Sequence, residues 1–384
     1  MIGVLVMAYG GPASLEEIPG YLADIRHGRP TPRAVVDEIT ENYRAIGGSS
    51  PLLAVSRRQV EALATELGDG FRCYLGMRHW SPWIEDVVGE MVEDGITEAV
   101  SVVLAPHFSA LSVARYQQKV ADGLELSRGR IHFEHVASYH EAPGLVAAFA
   151  SRVEEGLARW PAAERGRVHV VFSAHSLPER VLASGDPYGD QCLQTARLVA
   201  ERAGVPDARW SWAYQSAGRT PEPWAGPDLG EHLGGLAARG VRDVISVPVG
   251  FVSDHVELLF DVDVRAAATA RELGIRLERP PALNDDPVFI SALAEVVRAR
   301  SETLAVPRLE SGPVSVEAMA WPTTAGVWVP PGPSKCAIPE ASDGNPARRA
   351  ATSSDMRAPQ ASGAVPHRPA AVSVVRRFVP SCLL

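Results

Sequence analysis

Short runs of consecutive apolar residues alternate along this chain with longer stretches whose apolar residues recur every three or four positions. A continuous apolar run of five to eight residues suits a strand buried on both faces, and a three-to-four period suits an amphipathic helix. The runs Ile2–Met7, Phe71–Gly76, Ala99–Leu104 and Ile131–Val136 therefore read as strands. The stretches Leu15–Ile25, Pro51–Leu67, Pro82–Glu93 and Ser109–Leu126 read as helices. Ser14 with Glu16 and Glu17, and Ser81 before Pro82, mark helix starts by cap, acidic first turn and first-position proline.

The alternation then repeats. Strands are expected at Val168–Phe172, Trp210–Ala213 and Asp243–Val249, and helices at Cys192–Ala203, Leu229–Arg239 and Val256–Leu273. Strand–helix alternation implies parallel sheets covered by helices. Two series imply two similar α/β domains, residues 1–140 and 141–305, with a cleft between them and the join near Tyr139–Pro143. Ligands of such folds bind beyond the carboxyl ends of the strands, so the residues just after each strand carry the functional information. After about Val306 no period persists: 12 of the 31 prolines lie in the last 79 residues, which reads as a disordered or loosely attached tail, 306–384.

Composition narrows the class. The chain has 384 residues, a net charge of -9 and 46% hydrophobic residues, enough for two sizeable cores. The acidic balance argues against a nucleic-acid partner held through phosphates. No apolar run is long enough to span a membrane, and the start of the chain lacks a basic leader, so a cytoplasmic protein is expected. Four scattered cysteines, Cys73, Cys192, Cys336 and Cys382, do not make a disulfide scaffold. Of the 37 basic residues only Lys119 and Lys335 are lysines, a bias that fits a high-GC genome rather than a binding signal.

Chemistry gathers at the strand ends. The first strand runs into Tyr9-Gly10-Gly11-Pro12, either an ordinary turn with Tyr9 as a packing residue or a close backbone approach to a ligand. Ser50, before Pro51, reads as a helix cap or as a hydroxyl facing an anion. Tyr116 lies two helical turns after Ser109, on the same face. His175, between Ser173 and Ser176 after a buried strand, is the sharpest candidate: a satisfied core histidine, or an imidazole that binds a metal or takes a proton. Asp254, Glu257 and Asp261 follow at i, i+3 and i+7 and are expected on one helical face, as a solvated acidic stripe or as partners of His175. A nitrogen-plus-carboxylate set suits a divalent first-row metal such as Fe(II). The chain has no G-x-G-x-x-G after a strand, no P-loop, no H-E-x-x-H and no G-x-S-x-G, which disfavours a nicotinamide dehydrogenase, a P-loop NTPase, a zincin and an α/β-hydrolase.

Six segments in order together resemble the ferrochelatase family. They are Val6–Pro12, Tyr43–Leu52, Gly76–Pro82, Pro106–Ser109, Phe172–Pro178 and Gly250–Glu257, spread over residues 1 to about 300. The resemblance implies two Rossmann-like, chelatase-type domains holding a porphyrin in the cleft between them, with Fe(II) inserted there in haem biosynthesis. It implies that His175 and Glu257 form the catalytic and metal site, with a relay through Asp254 and Asp261. It also implies that Tyr9, Arg26, Ser50 and Tyr116 contact the porphyrin. Tyr9 matches the coproporphyrin-using branch, so coproporphyrin III is the expected substrate and ferrous iron the substrate metal. Asn42 departs from a basic residue that some relatives carry. The scattered cysteines predict no iron–sulfur cluster, and the tail does not resemble the family's usual ending. A monomer is expected, handing its product to a downstream haem-pathway enzyme. The rivals are a protoporphyrin IX ferrochelatase, a non-catalytic tetrapyrrole carrier, a cobalt or nickel chelatase, and a structural α/β protein.

Overall fold

A computed structural model describes residues 1–305 other than residue 219. The expectation for the tail, and for Cys336 and Cys382, falls outside the described residues.

The strands are β1 (Ile2–Ala8), β2 (Phe71–Met77), β3 (Glu98–Val103), β4 (His132–His135), β5 (His169–His175), β6 (Trp210–Gln215), β7 (Asp243–Val247) and β8 (Arg276–Glu278). They form two four-stranded sheets, ordered β2-β1-β3-β4 and β6-β5-β7-β8. Every pairing is parallel. The two orders are the same pattern, so the α/β repeat anticipated from the sequence is a repeat of topology. In each sheet the chain passes from the first strand to one neighbour and then crosses to the other side. The crevice opens where the direction reverses, between β1 and β3 and between β5 and β7.

Parallel sheets need cover on both faces, and β1 shows why its sequence is unbroken by polar residues. Val4, Val6 and Ala8 enter one apolar cluster, while Leu5 and Met7 enter another. The first of these clusters is shared by the two sheets. It joins Val100 and Val102 of β3 to Val170 and Phe172 of β5 through Leu145, Phe149 and Val153 of the helix Pro143–Leu157.

The helices before that one are α1 (Ile18–Ile25), α2 (Arg33–Ala45), α3 (Leu52–Leu67), α4 (Ile84–Glu93) and α5 (Val113–Ser127), which makes Pro143–Leu157 α6. Then come α7 (Glu179–Ala183), α8 (Tyr188–Arg202), α9 (Leu229–Ala238), α10 (Val256–Leu259), α11 (Ala267–Glu272) and α12 (Pro287–Ser301). The last helix returns to the first half: α12 packs against α3, α6 and β3. Arg58 on α3 pairs with Asp285 at 3.2 Å, and Gln59 donates to Asn284 O at 2.9 Å.

Several sequence expectations shift. The helix expected from Pro82 starts at Ile84, with Trp83 in an extended conformation as its N-cap. The strand expected to end at Phe172 continues to His175, paired with Gln215 of β6. The helix expected over Val256–Leu273 is interrupted by a π-helical turn at Asp261–Ala266, where Arg265 N donates to Phe260 O, five residues back, at 2.8 Å. The helix end read at Tyr43–Ala45, before the Gly47-Gly48 stop, is the end of α2, whereas helices α6, α7 and α12 and strand β8 were not anticipated.

Candidate active site

One cavity of about 1010 Å³, counting its open mouth, lies at the carboxyl ends of both sheets. Its wall takes Ala8–Gly10 from the end of β1, Arg78 from β2, Leu104 and Ala105 from β3, His175 from β5 and Gly250–Glu257 after β7, leaving out Asp254. The crevices of the two sheets thus face one shared space.

Two glycines allow this closeness. Gly10 has φ of 95°, and a Cβ there would lie 2.9 Å from Trp80 N. At Gly250 a Cβ would lie 2.8 Å from Ala174 Cα, so only glycine lets the turn after β7 run beside the end of β5.

His175 and Glu257 meet at the bottom of the cavity. His175 is 7% and Glu257 6% exposed. The Nδ1–H of His175 donates to Ser176 O at 2.5 Å, which leaves Nε2 facing Glu257 Oε1 at 3.5 Å. That separation is within ion-pair reach, yet Nε2 has no hydrogen-bond partner and is buried. The second carboxylate oxygen, Oε2, lies 3.4 Å from His255 Nε2, and His255 Nδ1 donates to Ser253 O at 2.9 Å. Glu257 therefore stands between two imidazoles. Burial disfavours its charge, but the charge of His175 and its neighbour His255 hold its pKa down, to about 2. For His175, burial acts against the charged form, and the Glu257 charge outweighs it, so its pKa lies above the ordinary value. The pair thus favours a charged imidazole beside a charged carboxylate.

Asp261 lies behind Glu257, 2% exposed, accepts from Ser216 Oγ and pairs with Arg265 at 3.4 Å. Asp254 departs from the expected stripe. It precedes the helix, whose N-cap is His255 in an extended conformation, so the i, i+3 rule does not carry it onto the face of Glu257. Its carboxylate is tied to Arg279 Nη1 and Asn284 Nδ2, each at 2.8 Å, and does not line the cavity. No side chain caps α10.

The first half supplies a different surface. Tyr9, Tyr21, Tyr43, Ser50 and Tyr116 line the cavity. Burial raises the pKa of Tyr9, Tyr43 and Tyr116, so all three phenols are neutral donors. Tyr43 Oη is buried without a hydrogen-bond partner. A Cβ on Gly11 would lie 3.4 Å from Ser50 Cβ and 3.7 Å from Tyr43 Oη, so these groups share one corner. Ser50 Oγ accepts from Leu52 N at 3.3 Å, a weak form of the cap expected of it. Arg26 is the C-cap of α1 and does not line the cavity. Asn42 is buried on α2.

Sequence reasoning passed over Arg78, His107, Tyr43 and His255. Arg78, His107 and His255 follow strands and Tyr43 lies near the end of α2; all four fall inside the segments that carry the family resemblance. His107 Nε2 lies 2.9 Å from Thr195 Oγ1, and burial pushes its pKa down to about 3, so it is a neutral imidazole.

A divalent metal could be held here by His175 Nε2, a buried imidazole nitrogen without a hydrogen-bond partner, and the Glu257 carboxylate. The hydroxyl-rich corner could donate to carboxylates of a bound molecule.

The ferrochelatase family profile matches residues 1–301. The chain belongs to the ferrochelatase family. A ferrochelatase of Deinococcus radiodurans is 56% identical over 307 residues, covering 79% of this chain and 97% of the relative. A coproporphyrin III ferrochelatase of Anoxybacillus flavithermus is 44% identical, covering 77% and 95%, and one of Bacillus subtilis is 41% identical, covering 77% and 96%. The sirohydrochlorin chelatase SirB of Bacillus subtilis subspecies spizizenii, solved with cobalt, shares the fold at a TM-score of 0.50 and 13% identity, over 79% of this chain and 97% of that one. The chain is a ferrochelatase, a lyase of haem biosynthesis that inserts ferrous iron into a porphyrin. Among the described residues no helix is long and apolar enough to cross a membrane.

Proposed function

We propose that the porphyrin is coproporphyrin III and the product iron coproporphyrin III, formed at His175 and Glu257. The observation that carries the substrate is the position of Tyr9, after the end of β1 on the cavity wall that also holds Ser50 and the buried, unpartnered Tyr43 hydroxyl, groups suited to carboxylate side arms. Relatives at 41% and 44% identity named coproporphyrin III ferrochelatase support the same reading.

Metallation adds one Fe(II) and releases two pyrrole protons. The side-chain nitrogen beside Glu257 that can take a proton or hold the iron is His175 Nε2, because its Nδ1 is committed to Ser176 O. Beside Glu257 the protonated form of Nε2 is favoured. It must lose that proton before it can accept one from a pyrrole, and Glu257 is the adjoining acceptor at 3.5 Å. We assign the proton relay from Glu257 to Asp261, which opens the π-helical turn and accepts from Ser216 Oγ in the loop after β6. Asp254, tied to Arg279, positions the loop before α10 and lies off this path. A carrier needs no buried imidazolium–carboxylate pair, so this pair favours the enzyme.

The test is anaerobic turnover with Fe(II), comparing coproporphyrin III with protoporphyrin IX by absorbance. Preferential metallation of coproporphyrin is expected. Preference for protoporphyrin IX overturns the substrate, and binding of both without metallation overturns the chemistry.

A further inference from the structure

Arg78 is the only arginine or lysine among the described residues that line the cavity. Its backbone is pinned to the first strand: Arg78 N donates to Ala8 O, and His79 N to Tyr9 O, each at 2.9 Å. The guanidinium lies 5.9 Å from the Tyr9 ring and 5.5 Å from the Tyr116 ring, and Nη1 donates to Leu111 O at 3.2 Å. No carboxylate among the described residues pairs with it. Other arginines of the half-buried shell have acids: Arg152 pairs with Asp286 at 2.9 Å and Arg279 with Asp254 at 2.8 Å.

A guanidinium held between two aromatic rings, with one nitrogen fixed and the rest of its fork unspent, is arranged for a planar, bidentate anion. The rings fix its direction and shed competing water. Glu257 is the charge that faces the metallation chemistry, and a carboxylate brought beside it would be repelled. The cavity therefore has an acidic part for the metal and a basic part for the anionic edge of the substrate. The electrostatics of the two tyrosines agree: for each, Arg78 favours the phenolate and Glu257 disfavours it.

We propose that Arg78 is the carboxylate anchor of the cleft and grips one propionate side arm of the bound porphyrin through its guanidinium. This rests on the porphyrin reading above. The anchor sets affinity and orientation, while His175 and Glu257 set the rate of metallation.

The test is equilibrium binding of metal-free coproporphyrin III and of its tetramethyl ester to the full chain, with Arg78→Met, Arg78→Lys and the native protein compared. Loss of one charge-assisted pair predicts about 10- to 100-fold weaker binding of the acid by Arg78→Met. Binding of the ester is expected to change less than about threefold, and Arg78→Lys is expected to recover part of the loss. Raised salt is expected to weaken the native complex more than the Arg78→Met complex. Equal loss of acid and ester, or unchanged acid binding, overturns the anchor. Should Arg78→Met fail to fold, Arg78→Lys decides: affinity for the acid below native with the ester unchanged supports the bidentate anchor, and equal affinity overturns it. Failure of the porphyrin reading shows separately, as no binding of either porphyrin by the native protein, and it takes the anchor with it.

Discussion

The two halves of the molecule share one topology and divide the chemistry. Each is a parallel sheet with its first strand in the second place, β2-β1-β3-β4 and β6-β5-β7-β8, and each opens its crevice beside that strand. In the first half the strand ends carry Tyr9 and Arg78, followed by Ser50 and Tyr116 on the flanking segments. In the second they carry His175 and the turn from Gly250 to Glu257. One half offers neutral hydroxyls and a cation, the surface we propose for the carboxylated ring. The other offers an imidazole–carboxylate pair, the site we propose for the divalent metal and the protons. A repeated scaffold thus presents two unlike surfaces to one ligand, because the strand ends are free to vary while the apolar strands beneath them are not.

The sharpest way to break this division is His175→Ala. We expect turnover to fall about 10²- to 10⁴-fold, with coproporphyrin affinity within a few-fold of native, measured by anaerobic metallation and fluorescence quenching. Retained turnover removes the second half from the chemistry.

Next is Glu257→Gln. The native carboxylate raises the pKa of His175 against burial. The charged imidazole is therefore held up to a higher pH and lost as pH rises through that raised value. If the neutral imidazole is the working form, the rate rises with pH over the same range. Without the carboxylate, burial dominates and that rise should move to lower pH, together with a loss of turnover of about 10²-fold. A rise that stays in place separates the rate from His175.

The paired glycines test the comparison directly. Gly250→Ala meets Ala174 Cα at 2.8 Å, next to His175, and should cost stability of about 1–3 kcal/mol and lower kcat more than it raises KM. Gly10→Ala meets Trp80 N at 2.9 Å with φ of 95°, should cost a similar amount, and should raise KM more than it lowers kcat. Equal effects on both constants at both positions would erase the division. The smallest effect is expected at the hydroxyl corner, where Ser50→Ala or Tyr43→Phe should raise KM about two- to tenfold through the loss of one neutral hydrogen bond. Steady-state kinetics with coproporphyrin III checks both.

Much of the frame was legible because parallel strands buried on both faces cannot hide their apolar runs: the cores of β1, β3 and β7 stand out in the sequence. Helix α12 was legible in principle, since Phe289, Ile290, Leu293, Ala294 and Val297 fall at helical spacing and are all buried, but its place against α3 was not. His175 and Glu257 were found by their position after strands. Asp254 misled, because the i, i+3 spacing puts residues on one face only inside a helix, and the helix begins after it. The π-helical turn after Glu257 has no sequence signature of the kind that proline or glycine provides.

The sequence by itself determined that the chain makes two parallel α/β runs and which residues sit at their strand ends, because periodicity and strand termination are local properties. Only the tertiary structure decided which of those ends share a cavity, that Glu257 lies between His175 and His255, that Asp254 is spent on Arg279, and that Arg78 faces the cavity without an acidic partner. The pairings of Asp254 with Arg279 and of His175 with Glu257 join residues 25 and 82 positions apart, in a chain whose local preferences are blind to one another, and burial then fixes which charges survive there.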